Sequence, residues 1–133
     1  MELVKKACII DDDKLYVSLI KMLIKKNKLA QELVIFENGK LALKFFEEQL
    51  GKQDPELPEV VLLDLNMPVM DGWEFLDEME TYAGKLKEEG LKINVVSSTI
   101  NPVEVAKANS HDIVNSFITK PINKQAMIEA FSV

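Results

Sequence analysis

The segment that most narrows the choice of fold is Glu59-Val60-Val61-Leu62-Leu63-Asp64. Its apolar residues follow one another without polar alternation, so both faces of that strand need cover. A strand of this kind belongs inside a parallel sheet. Parallel neighbours cannot be joined by a tight turn and need a crossover, usually a helix. The chain supplies both parts. Short β-type runs (Ala7-Cys8-Ile9-Ile10, Leu33-Val34-Ile35-Phe36, Ile93-Asn94-Val95-Val96 and Phe117-Ile118-Thr119) are separated by segments of helical periodicity.

Between Lys14 and Lys28, the residues Leu15, Leu19, Ile20, Leu23 and Ile24 make an apolar stripe, with Ser18, Lys21 and Lys25 opposite. Asn38-Gly39 resembles a hairpin turn, but Leu41, Ala42, Phe45, Phe46 and Leu50 follow at helical spacing, so Asn38 reads as an N-cap. After Asp71-Gly72, one helix carries Phe75, Leu76, Met79 and Leu86 on one side. Asn101-Pro102-Val103-Glu104 is a strong helix start: cap, proline at N1, glutamate at N3. A last helix contains Ala126, Met127, Ala130 and Phe131. The order βαβαβαβαβα implies one α/β domain, a parallel sheet with helices on both faces.

Composition is consistent with this. The chain has 133 residues, 47% hydrophobic and 29% charged, without repeats or a low-complexity linker. That suits one folded domain and argues against disorder. Sixteen basic against 22 acidic side chains give a net charge of −6, so no basic excess favours a nucleic-acid backbone. The apolar runs are too short to cross a bilayer, and the residues before Asp11 do not form a signal peptide. The expected location is the cytoplasm, with no membrane partner. One cysteine, Cys8, excludes an internal disulfide and a cysteine-based zinc site.

In sheets of this type the site lies beyond the carboxyl ends of the strands. The first strand ends in Asp11-Asp12-Asp13, the third in Asp64, the fourth in Ser97-Ser98 and the fifth in Lys120. Taken singly, each is an ordinary cap or turn residue. Together they bring carboxylates, hydroxyls and an ammonium to one edge. Crowded carboxylates repel unless one is protonated or a cation binds, and an all-oxygen set suits Mg²⁺. A hard cation, a serine and a lysine beside an aspartate make a phosphoryl-transfer site.

These residues match a family. The chain resembles the receiver domains of two-component response regulators, the CheY-like proteins of bacterial phosphorelays. The resemblance runs from Ala7 to Phe131. It rests on Ile10-Asp11-Asp12-Asp13, Asp64-Leu65-Asn66-Met67-Pro68-Val69-Met70-Asp71-Gly72, Val95-Val96-Ser97-Ser98 and Phe117-Ile118-Thr119-Lys120-Pro121. It implies a flavodoxin-like (βα)5 fold of strand order 2-1-3-4-5, an order the family shares with flavodoxin. It makes Asp64 the phosphoacceptor. Asp11, Asp12, Asp64 and the Asn66 backbone carbonyl would hold Mg²⁺, with Mn²⁺ as a substitute. Ser97, Lys120 and Phe117 would stabilise the phosphoryl group and switch the domain, with Asp13 and Ser98 as supporting residues.

The resemblance also implies a donor, either a sensor histidine kinase or a histidine phosphotransfer protein. An unidentified downstream protein would read the face of the fourth helix, fifth strand and fifth helix. The domain would be a monomer or a phosphorylation-dependent dimer. It would catalyse only its own phosphorylation and dephosphorylation, without a separate turnover substrate. Residues 1–133 read as one receiver without an output domain, and the segments Gly51–Pro58 and Thr81–Lys92 look longer than the family's usual connections.

Other functions fit less well. A phosphatase of the haloacid-dehalogenase type expects a second aspartate where Asn66 stands. A pseudo-receiver would lack one of the acids, the acceptor or the lysine. An FMN carrier would meet three aspartates where it needs a phosphate loop. His111, the only histidine, reads as an exposed helix-end residue rather than a phosphodonor, and Cys8 as a buried hydrophobe. Trp73 is expected near the site, packing.

Overall fold

A computed structural model describes residues 3–99 and 101–132. Five parallel strands are present: β1 (Val4–Ile10), β2 (Ala30–Phe36), β3 (Val60–Leu63), β4 (Lys92–Ser97) and β5 (Val114–Thr119). Their order is β2-β1-β3-β4-β5, all neighbours parallel, as the flavodoxin-like reading requires. The helices are α1 (Lys14–Lys26), α2 (Gly39–Leu50), α3 (Gly72–Glu80), α4 (Ala83–Glu88), α5 (Pro102–Asn109) and α6 (Lys124–Phe131). None of them is long and apolar enough to cross a membrane.

The unalternating strands divide their side chains by parity. Cys8, Ile10, Val61, Leu63, Ile93 and Val95 pack beneath α2, α3 and α4 with Phe46, Phe75 and Leu86. Ala7, Ile9, Val60, Leu62 and Val96 point the other way, toward α1 and α6, with Ile20, Ile24 and Phe131. Burying each such large side chain contributes about 1.5–3 kcal/mol.

Several expectations are corrected. The stripe on α1 is rotated: Val17, Ile20 and Ile24 are buried, whereas Leu15 and Leu19 are exposed. This helix has more apolar residues than one face against the sheet can cover. The single helix expected after Gly72 is two. Tyr82, at φ −109° and ψ 12°, leaves the helical region, and the Thr81 hydroxyl donates to the Glu78 carbonyl at 2.8 Å. The Tyr82 hydroxyl donates to Glu47 Oε2 on α2 at 2.7 Å. The bend lets both Met79 and Leu86 reach the core. The edge strands β2 and β5 are longer than hydropathy shows, because Gln31, Glu32, Asn115 and Ser116 continue the extended backbone while carrying polar side chains, and the β4–β5 register shifts at Asn115.

Candidate functional site

The chain runs from β1 to β2 on one side and returns to β3 on the other, so the direction of winding reverses between β1 and β3. That crevice is where doubly wound sheets bind ligands. Register aligns its rims. Ile10 pairs with Leu63, and the Asp64 N–H donates to the Ile10 carbonyl at 2.9 Å, so Asp11 and Asp64 leave adjacent strands side by side. Carboxylate oxygens of Asp11, Asp12 and Asp64 lie within 4.8 Å of one another. Asp11 and Asp64 are buried and Asp12 is exposed.

Lys120 closes the crevice from the far edge. Ser97 pairs with Thr119 in the β4–β5 register, and the Lys120 N–H donates to the Ser97 carbonyl at 2.8 Å. The ammonium then reaches Asp11 Oδ2 at 3.0 Å and Asp64 Oδ1 at 3.5 Å. The Asp64 carboxyl is pushed up to about 6 by burial first, then by the Asp11 charge, with Lys120 pulling it back down. Burial lowers the Lys120 ammonium, but its hydrogen bond and ion pairing with Asp11, and its attraction to Asp64, outweigh that and raise it. The donor set fits a hard divalent ion: three carboxylates crowd together with one lysine among them.

The loop after β3 is shaped by Asp71 and Gly72. The Asp71 side chain accepts from Glu74 N at 2.9 Å, and Glu74 Oε1 accepts from Asp71 N at 3.2 Å, a full capping box. Gly72 brings the start of α3 against the end of β3: a Cβ there would stand 2.5 Å from the Asp64 carbonyl oxygen. Asn66 is exposed in this loop. Met67 and Met70 fill space beside the core.

Ser97 is buried at the end of β4, its Oγ accepting from Thr99 N at 3.2 Å, while Ser98 is exposed. Phe117 is half-buried on β5. Asp13 stands outside the acidic trio and caps α1, accepting from Tyr16 N at 3.1 Å. Trp73 packs against the core and takes the Lys107 ammonium over its ring at 4.3 Å. Cys8 is buried, and burial pushes its thiol up. His111 is not an exposed helix-end residue. It follows α5 with its side chain 12% exposed, Nδ1 lying 3.3 Å from Glu80 and Nε2 3.7 Å from Asp77. Both neighbours come from α3, and the ring lies against that helix.

Tyr16 is the residue that the sequence reading missed. It sits in the first turn of α1, and the Lys120 ammonium lies 4.3 Å from its ring centroid. The available signal was an aromatic residue in the first turn after the acidic run. Burial, then Asp11, push its phenol up to about 12.

The family model of the response regulator receiver domain matches residues 7–132. The chain belongs to the response regulator receiver family. Response regulator Rcp1 of Synechocystis sp. is 30% identical over 120 residues, which cover 90% of this chain and 78% of that one. Chemotaxis protein CheY of Halobacterium salinarum is 26% identical over 96% of this chain and 94% of its own. The receiver also superposes on a two-component response regulator from Cytophaga hutchinsonii with a TM-score of 0.85, at 24% identity, covering 98% of this chain and 96% of that one. Against the Mn²⁺-bound form of Rcp1 the TM-score is 0.75 at 26% identity, covering 96% and 89%. Both superpositions place this receiver in the CheY-like, flavodoxin-like fold.

Proposed function

We propose that this receiver accepts a phosphoryl group on Asp64 in a Mg²⁺-dependent reaction, from a sensor histidine kinase or a histidine phosphotransfer protein. The observation that carries the reading is the Asp64 carboxylate held beside Asp11, Asp12 and the Lys120 ammonium. Asp64 in its ionised form can attack phosphorus in line, and the Lys120 ammonium beside it favours that form. Lys120 can move from Asp11 toward a phosphoryl oxygen and neutralise charge there. Asp11, Asp12, Asp64 and the Asn66 carbonyl would hold the ion, which supplies charge neutralisation between carboxylate and phosphoryl oxygens.

The Asp64 oxygen–phosphorus bond forms as the donor's phosphorus–nitrogen bond breaks, so the histidine leaves as imidazole and an acyl phosphate remains on Asp64. Ser97 Oγ would turn inward to donate to it, leaving room for Phe117 to pack inward. That moves a two-state population at the face of α5, β5 and α6. Asn115, Phe117, Thr119, Asn123 and Ala126 line a groove of about 550 Å³ between β5 and α6, which suits a downstream protein there. Residues 1–133 act as one receiver in the cytoplasm, with no separate turnover substrate, as a monomer or a phosphorylation-dependent dimer. Asp13 serves the site through its cap, and Ser98 stands beside the switch serine.

Intact-mass spectrometry after incubation with Mg²⁺ and acetyl phosphate tests the proposal. Wild type gains one phosphoryl group; Asp64→Asn and EDTA-treated wild type gain none. Equal uptake by Asp64→Asn would defeat it.

A further inference from the structure

The Lys120 ammonium has three neighbours from three parts of the chain: Asp11 at 3.0 Å, Asp64 at 3.5 Å and the Tyr16 ring centroid at 4.3 Å. The ring is held in register with the acids. Asp13 N donates to Asp11 Oδ1 at 2.9 Å, and Asp13 Oδ1 accepts from Tyr16 N at 3.1 Å. The strand that carries Asp11 thus sets where α1 begins, and so where the ring stands.

We infer that Tyr16 is a positioning residue for phosphoryl transfer, its ring face confining the Lys120 ammonium at the mouth of the site. This rests on the reading of Asp64 as phosphoacceptor. A lysine stem is flexible, and its ammonium is strongly hydrated, so an unrestrained Lys120 would spend time in solvent. A hydrogen-bonding side chain in place of the ring would occupy one of its N–H donors. An aromatic face attracts the cation through its quadrupole over a broad area and takes up no donor in a fixed direction. The ammonium can therefore pass from Asp11 to an incoming phosphoryl oxygen while it stays over the ring.

A bland alternative is that Tyr16 only packs, since it is half-buried against the α1 side of the core. Two variants separate the roles. Tyr16→Phe keeps the ring face, and Tyr16→Leu keeps apolar bulk without it. The expected result is uptake from acetyl phosphate near the wild-type rate in Tyr16→Phe and about tenfold slower in Tyr16→Leu. Mg²⁺ affinity, measured by calorimetry, stays within error of wild type in both. NMR of the Lys120 ε-methylene, without phosphodonor, shows a ring-current upfield shift in wild type and Tyr16→Phe that Tyr16→Leu loses.

Wild-type uptake in Tyr16→Leu overturns the inference. So does a loss of rate, Mg²⁺ affinity and thermal midpoint together. If wild type takes up no phosphoryl group, the reading of Asp64 falls, and the NMR alone decides the positioning. An unchanged Lys120 signal in Tyr16→Leu then overturns it, and a lost shift upholds it.

Discussion

Asp64 carries a carboxyl that burial and the Asp11 charge push up to about 6. The folded state therefore binds that proton more tightly than the unfolded chain does. Stability from this group is fully present below about pH 4 and is lost as pH rises through about 6. In Mg²⁺-free buffer, Asp64→Asn is expected to raise unfolding stability at pH 7.5 by about 1–3 kcal/mol. The gain shrinks toward zero by pH 4, and urea titrations at the two pH values measure it. Val69 is strained in a different way. Its φ is 69°, a region that a β-branched residue adopts at a cost, and it is 73% exposed, so little packing offsets that cost. Val69→Gly should stabilise by about 1 kcal/mol in the same assay, strain relief exceeding the entropy glycine adds. The acids, Ser97 and Lys120 were legible because each follows a readable strand. Tyr16 was not, because its place against the Lys120 ammonium depends on a residue more than a hundred positions away along the chain.

Gly72 couples two elements, strand β3 and helix α3. A Cβ at this position would stand 2.5 Å from the Asp64 carbonyl oxygen and 2.8 Å from Leu65 Cα, both backbone atoms with little room to yield. Gly72→Ala should cost about 1–3 kcal/mol and weaken Mg²⁺ binding by displacing Asp64. Calorimetry with the metal and a denaturant curve report the two effects separately. The central strands β1, β3 and β4 were readable from unbroken apolar runs, because such runs are buried on both faces. The edges were read short, since one open side tolerates Gln31 or Asn115. Hydropathy counts apolar residues without saying which a neighbour will cover, so Leu15 and Leu19 were assigned inward on α1. The break between α3 and α4 escaped periodicity because Met79 and Leu86 fit one stripe, while Thr81 and Tyr82 spend their hydroxyls elsewhere.

For the whole molecule, the proposed function turns a charge change at one end of the sheet into a shape change on one face. Ser97 and Phe117 lie on adjacent strands, β4 and β5, so the proposed acceptor and the α5–β5–α6 face share a short physical route. Ser97→Ala should still take up phosphoryl group from acetyl phosphate. It should lose the change in hydrogen exchange at β5 and α6 that phosphorylation brings in wild type. The proposed function rests on the identity of the acceptor. An acyl phosphate, unlike a phosphoserine or phosphothreonine, is reduced by sodium borohydride to an alcohol. The decisive measurement is peptide mass mapping after phosphorylation with Mg²⁺ and acetyl phosphate, then borohydride. The expected result is a reduced side chain at Asp64 and at no other carboxylate, absent when EDTA is present. Reduction at Asp11 or Asp12, or a stable phosphate on Ser97, would contradict it.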